Sequence, residues 1–66
     1  MSIKHPEVSV RLSGIDSNAM VIVGAVRAAL RRGKVPPAEI DAFSNEALSG
    51  NYDQVIQTAL RWVDVT

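Results

Sequence analysis

Cysteine is absent from this chain. That excludes the disulfide framework and the thiolate metal cage on which small secreted and zinc-stabilised domains usually depend. The fold must be held by an apolar core alone, which suits a reducing cytoplasm. Net charge is missing too, because seven Lys and Arg residues offset seven Asp and Glu. The long-range field that draws basic proteins to polyanions therefore does not exist for the molecule as a whole. The longest apolar run, Ala19 to Val26, is far short of the ~20 residues that cross a bilayer and reads as a core helix. No apolar segment follows Lys4, so neither a signal peptide nor a membrane partner is expected, and the expected location is cytoplasmic.

What is present is a change of hydrophobic period along the chain. Residues 1–6 carry no pattern and are read as a flexible tail ahead of a single domain at residues 7–66. From Glu7 to Ser13 the sequence alternates, with Val8, Val10 and Leu12 on one side and Glu7, Ser9, Arg11 and Ser13 on the other, the signature of a half-buried strand. Gly14 ends it, and Asp16, Ser17 and Asn18 offer three N-cap types in a row. A long first helix runs from there to Gly33. Ala19, Ile22, Val23, Val26, Ala29 and Leu30 form its main stripe, widened by Met20, Val21, Gly24, Ala25 and Ala28. An apolar circumference of that breadth predicts burial on several sides. Gly33 is placed to take a left-handed C-cap.

Pro36 and Pro37 can begin a helix but not continue one. A second helix is expected from Pro37 to Leu48, with Ile40, Phe43 and Ala47 turned inward and Leu48 at the margin. Ser49 and Gly50 stop it, and Asn51 is the expected N-cap of a third helix. There Tyr52, Val55, Ile56, Ala59, Leu60 and Val63 fall on one stripe, with Trp62 at its edge and Gln54, Gln57, Thr58 and Arg61 outside. The final residues, 62–66, are rich in strand formers and are expected to pair with the first strand, the alternative being that the strand pairs with its own copy in a dimer. The predicted fold class is a small α+β domain, β-α-α-α-β, with a central first helix and a minimal two-stranded sheet.

Residues able to carry chemistry are few. His5 is the sole histidine and reads as a solvated tail residue. Asp16, Ser17 and Asn18 resemble the start of a calcium loop, but Met20 and Ile22 stand where the next ligands and the turn should follow. Glu39, Asp41, Glu46 and Asp53 fall on polar helix faces or at caps. No catalytic residue, cofactor or metal ligand is assigned, and the expected role is non-enzymatic.

Contacts with partners are the better candidates. Arg27, Arg31, Arg32 and Lys34 form a basic cluster that either complements the C-terminal dipole of the first helix or touches phosphates or an acidic protein surface. Gln54, Gln57 and Arg61 are side-chain types that read base edges, and the turn at residues 49–51 resembles that of a helix-turn-helix. Asp53 at the mouth of the third helix opposes that reading. Gly24 and Ala28 form a small patch that either packs against the third helix or, with Val21 and Ala25, meets a second copy.

Over residues 8–65 the chain resembles a group of short, functionally uncharacterised bacterial and phage proteins. The resemblance rests on Leu12, Gly14, Asp16, Asn18-Ala19, Gly24, Val26, Ala29-Leu30, Glu39-Ile40-Asp41, Phe43 and Glu46-Ala47, and above all on Ser49-Gly50-Asn51-Tyr52-Asp53, Gln57 and Trp62-Val63-Asp64-Val65. Ile15, Ser17 and Asn51 depart from the acidic, glycine and aspartate residues expected there. The resemblance implies a bacterial or mobile-element origin and no catalytic residues. The expected function is a small accessory protein that binds a protein partner or itself. The alternative is a nucleic-acid-binding regulator using the basic end of the first helix and the polar face of the third.

Overall fold

The chain alternates for a few residues, then turns helical three times, then alternates again, and the structure follows that order. A computed structural model describes residues 3–12 and 18–66. It contains β1 (His5–Val10), α1 (Ala19–Arg32), α2 (Pro37–Ala47), α3 (Tyr52–Trp62) and β2 (Val63–Val65). Ser13, Gly14, Asp16 and Ser17, used above to end the strand and open the helix, lie outside the described residues.

β1 and β2 form a two-stranded parallel sheet. Parallel pairing is possible because three helices carry the chain back before β2 begins. Val8 and Val10 are buried on the helix side, with Leu12 and Val65 partly covered and Val63 fully so. The strand begins at His5 and not at Glu7. Pairing starts ahead of Pro6, where the Lys4 N–H donates to the Arg61 carbonyl at 3.0 Å. The register is irregular between His5 and Ser9. Pro6, which has no N–H to offer a ladder, lies within that interval.

Asn18 caps α1, its side chain accepting from the Met20 N–H at 2.8 Å. Ile22, Val23, Val26, Ala29 and Leu30 are buried as the stripe predicts, and the helix touches β1, α2 and α3. The widening residues behave differently. Met20 is 62% exposed and Val21 43%, Gly24 and Ala28 are exposed, and only Ala25 is partly covered. Two short strands and two 11-residue helices cannot wrap α1, so it is covered on one face only.

The end of α1 also departs from expectation. Gly33 has φ −80°, and Lys34 is the left-handed residue, with φ 64°. The Lys34 N–H reaches the Arg31 carbonyl and the Val35 N–H reaches the Leu30 carbonyl, each at 3.0 Å, which is the Schellman pattern. Val35 and Leu30, the two positions between which an apolar contact accompanies such a cap, are both buried in the core cluster. Glycine is needed at position 33 for space: a Cβ there would come within 2.8 Å of Val8 Cγ2.

α2 starts at Pro37 as expected and ends at Ala47, leaving Leu48 exposed. α3 is capped by Asn51, whose side chain accepts from the Gln54 N–H at 3.1 Å. Its buried face, however, is Val55, Thr58, Ala59 and Trp62. Relative to the predicted stripe the helix is turned roughly a quarter of a revolution, exposing Tyr52 and Leu60. Thr58, expected outside, is fully buried, and its hydroxyl is satisfied by donating to the Gln54 carbonyl at 2.7 Å. α3 runs into β2 without a loop, since Val63 is already extended while its N–H still donates to the Ala59 carbonyl.

Leu30 is fully buried, so Leu30→Ala should cost about 2 to 5 kcal/mol. In a chain of this size that is about the whole hydrophobic surplus, and loss of native circular dichroism at room temperature is the expected outcome. Lys34→Gly should relieve left-handed strain of about 1 kcal/mol and raise the melting temperature. Gly33→Ala should lower it through the contact with Val8. Thermal melts of the two variants check the opposite signs.

Candidate docking groove and the fate of the polar residues

Trp62 lies at the centre of a groove on the described residues. As the only tryptophan of the chain, it gains most from burial, and it is 5% exposed. Phe43 meets its ring edge-on at a centroid distance of 5.6 Å. His5 packs tilted on it at 5.9 Å, and the Lys4 ammonium stands 4.3 Å from the ring centroid. Around this ring Ile3, Lys4, Glu46, Gln57, Leu60 and Arg61 line a groove of about 590 Å³. Its lining is apolar at Ile3, Leu60 and Trp62, with charge at the rim.

The rim is partly neutralised. Arg61 Nη2 donates to Glu46 Oε2 at 2.7 Å. The Arg61 guanidinium is the main reason the Glu46 carboxyl titrates below its ordinary range; partial burial opposes it, while a hydrogen bond from Trp62 and the charge of Lys4 make lesser contributions in the lowering direction. Lys4 itself has no carboxylate at ion-pair distance among the described residues.

His5 does not behave as a solvated tail residue. Its side chain is 15% exposed, with Nε2 at 3.1 Å from Glu39 Oε1 and Nδ1 at 3.6 Å from Glu7 Oε2. It ties β1 to the first turn of α2. Nothing in the local sequence signals this contact, because its partner lies 34 residues away.

The basic cluster is divided. Arg27 is held against α2, where Nη1 donates to Asp41 Oδ1 at 3.3 Å, to Ser44 Oγ and to the Ile40 carbonyl. Arg31, Arg32 and Lys34 are exposed. Arg31 borders a shallow depression with Pro37 and Asp41, and Arg32 borders another beside β1. The polar face of α3 is likewise broken up. The Gln54 amide donates to the Glu46 carbonyl and to Thr58 Oγ1, both at 3.4 Å. Thr58 is inside and Arg61 is paired, while Gln57 is exposed and joins the groove. The arginines of α1 therefore line different depressions from Gln57 and Arg61.

Gly24 does not pack against α3. A Cβ there would meet nothing within 4 Å, and Val21 and Ala28 are exposed beside it, so of the expected strip only Ala25 is partly packed against the core. The reason is the same one-sided cover of α1. Among the described residues no three His, Cys, Asp or Glu side chains are grouped to hold a metal ion, and no helix is long and apolar enough to cross a membrane.

The fold and groove define a small α+β domain with an apolar, charge-rimmed cleft. No family model, no curated protein and no solved structure matches the chain.

The lowered Glu46 titration has a definite sign. Its contribution is complete at neutral pH and is lost as pH falls through the depressed folded-state value, below the ordinary 4.5. Both partners are about half exposed, so the pair contributes at most about 1 kcal/mol. Urea unfolding should show Glu46→Gln less stable than the parent at pH 7, with the gap closing at pH 3.

Proposed function

We propose that this chain is a small non-enzymatic interaction protein whose groove beside Trp62 receives a segment of a protein partner. The observation that carries the reading is the part of the α3 stripe left outside the core. Tyr52 and Leu60 are 46% and 45% exposed, with partly covered Ile56 between them. They form a ridge at four-residue spacing that leads into the groove. Exposed apolar side chains rimmed by polar ones mark binding surfaces. The groove volume lies within the common range for binding clefts, about 300 to 1,000 Å³.

The charges select the occupant. Arg61 is balanced by Glu46, which leaves Lys4 as the net charge of the rim. A segment with an aliphatic or aromatic anchor for the floor and a neighbouring carboxylate for Lys4 is complementary to it. A cysteine-free chain and the resemblance to short bacterial and phage proteins suit a cytoplasmic accessory role in a bacterial or mobile-element setting.

A display selection of short peptides against the full chain tests the reading, with Trp62 fluorescence as the binding signal. Recovered peptides should combine an apolar anchor with Asp or Glu. Leu60→Glu and Lys4→Glu should each weaken them about tenfold without loss of helical circular dichroism. Peptides indifferent to both substitutions would overturn the proposal.

The alternative, a nucleic-acid-binding regulator, is favoured by one observation, the exposure of Arg31, Arg32 and Lys34 together at the end of α1. It requires duplex binding that weakens steeply with salt and falls further in the Arg31→Ala, Arg32→Ala double variant. A flat titration at low salt is the outcome expected here.

A further inference from the structure

The sheet consists of β1 and β2 alone, so among the described residues no strand lies on the other edge of β1. The ladder shows which backbone groups that edge carries. The Val10 carbonyl accepts from the Thr66 N–H at 2.9 Å, and the Leu12 N–H donates to the Thr66 carbonyl at 3.3 Å. Successive residues of a strand turn their backbone groups to opposite edges, so over the regular stretch from Ser9 those of Ser9 and of Arg11, just past β1, point away from β2, while Glu7 falls in the interval of irregular register. The side chains of all three are exposed, whereas Val8 and Val10 are buried. An open depression of about 220 Å³, bordered by Glu7, Val8, Ser9, Ala29, Arg32 and Gly33, lies alongside.

We infer that this edge is the site at which a second copy of the chain pairs, antiparallel, about a twofold axis through Ser9. The sequence of the edge is complementary to itself in that register. Glu7 falls opposite the second copy's Arg11 and Arg11 opposite its Glu7, Val8 faces its Val10, and Ser9 faces its counterpart. A twofold contact demands this kind of self-matching. Opposite charges directly across an antiparallel pair stabilise it, and like charges oppose it. Registers centred on Glu7 or on Arg11 would set like charges against each other, so the charge pattern selects the one centred on Ser9.

Both charged residues are available for the contact. Arg11 makes no ion pair among the described residues, and Glu7 has only the 3.6 Å approach of His5. The axis runs perpendicular to the sheet, so the helices of both copies lie on the same face. The pairing closes the open edge of β1, which otherwise presents unpaired backbone groups to solvent.

Sedimentation velocity of the full chain from micromolar to millimolar concentration tests the inference. The parent should pass from monomer to dimer. Glu7→Arg and Arg11→Glu should each raise the dimer dissociation constant about tenfold, because each puts like charges across the axis twice. The doubly reversed chain, Glu7→Arg with Arg11→Glu, should recover the parent affinity, and an equimolar mixture of the two single variants should form a heterodimer. Both positions are exposed, and circular dichroism confirms that the variants are folded. Monomeric mass at every concentration would overturn the inference. So would a dimer indifferent to both reversals, which would place the contact elsewhere, for example on the Val21, Gly24 and Ala28 strip of α1.

Discussion

Burial of Trp62 is the interaction on which the arrangement of the other elements depends. A 66-residue chain can cover one large aromatic completely only if several elements contribute, and here α2 supplies Phe43 while the chain around β1 supplies His5 and Lys4. Turning Trp62 inward sets the rotation of α3, because a helix cannot bury one residue without rotating all the others. Val55, Thr58 and Ala59 enter the core with it, while Tyr52 and Leu60 are carried outward. The same rotation fixes where β2 starts. Val63 follows Trp62 directly into extended backbone, and the second strand is laid beside the first. The groove and the exposed ridge are thus consequences of packing one indole.

Charged groups in this structure mostly join elements. Arg27 clamps α1 to α2 through Asp41 and Ser44, Arg61 joins α3 to α2 through Glu46, and His5 joins β1 to α2 through Glu39. Each of these contacts is partly solvated, so each adds only a modest increment to stability. They occupy Arg27, Arg61 and His5, and they leave Lys4, Gln57, Arg31, Arg32 and Lys34 as groups able to engage something outside the chain.

The element order, the Asn51 cap and the main stripe of α1 were legible because each rests on neighbours three or four residues apart, whereas Asn18 was one of three adjacent N-cap types among which the local pattern did not choose. Asn51 and Asn18 act through N–H groups in their own first turns, and Ile22, Val26 and Leu30 share a face by helical geometry alone. The places that misled are those where local pattern allows more than one answer. Six apolar positions on or near one side of α3 permit several rotations, and only the relative size of Trp62 and Leu60 favours the observed one. Gly33 and Lys34 both follow the last turn of α1. Lys34 is the left-handed one, and the glycine at position 33 instead answers to Val8, a residue distant in sequence that leaves no room for a Cβ there. Gly24 looked like a close contact because small residues permit one, but permission is not contact.

The amino-acid sequence by itself determined the β-α-α-α-β order, the absence of disulfide support, the spacing of Glu7 and Arg11, and the identity of most core residues. All of these follow from composition and short-range periodicity. Tertiary structure alone decided that the sheet is parallel, that His5 belongs to the fold, that α1 is covered on one face only, and that the polar residues of α1 and α3 line separate depressions. Those outcomes depend on which distant side chains compete for the same space, and a 34-residue separation such as that between His5 and Glu39 leaves no trace in any local pattern.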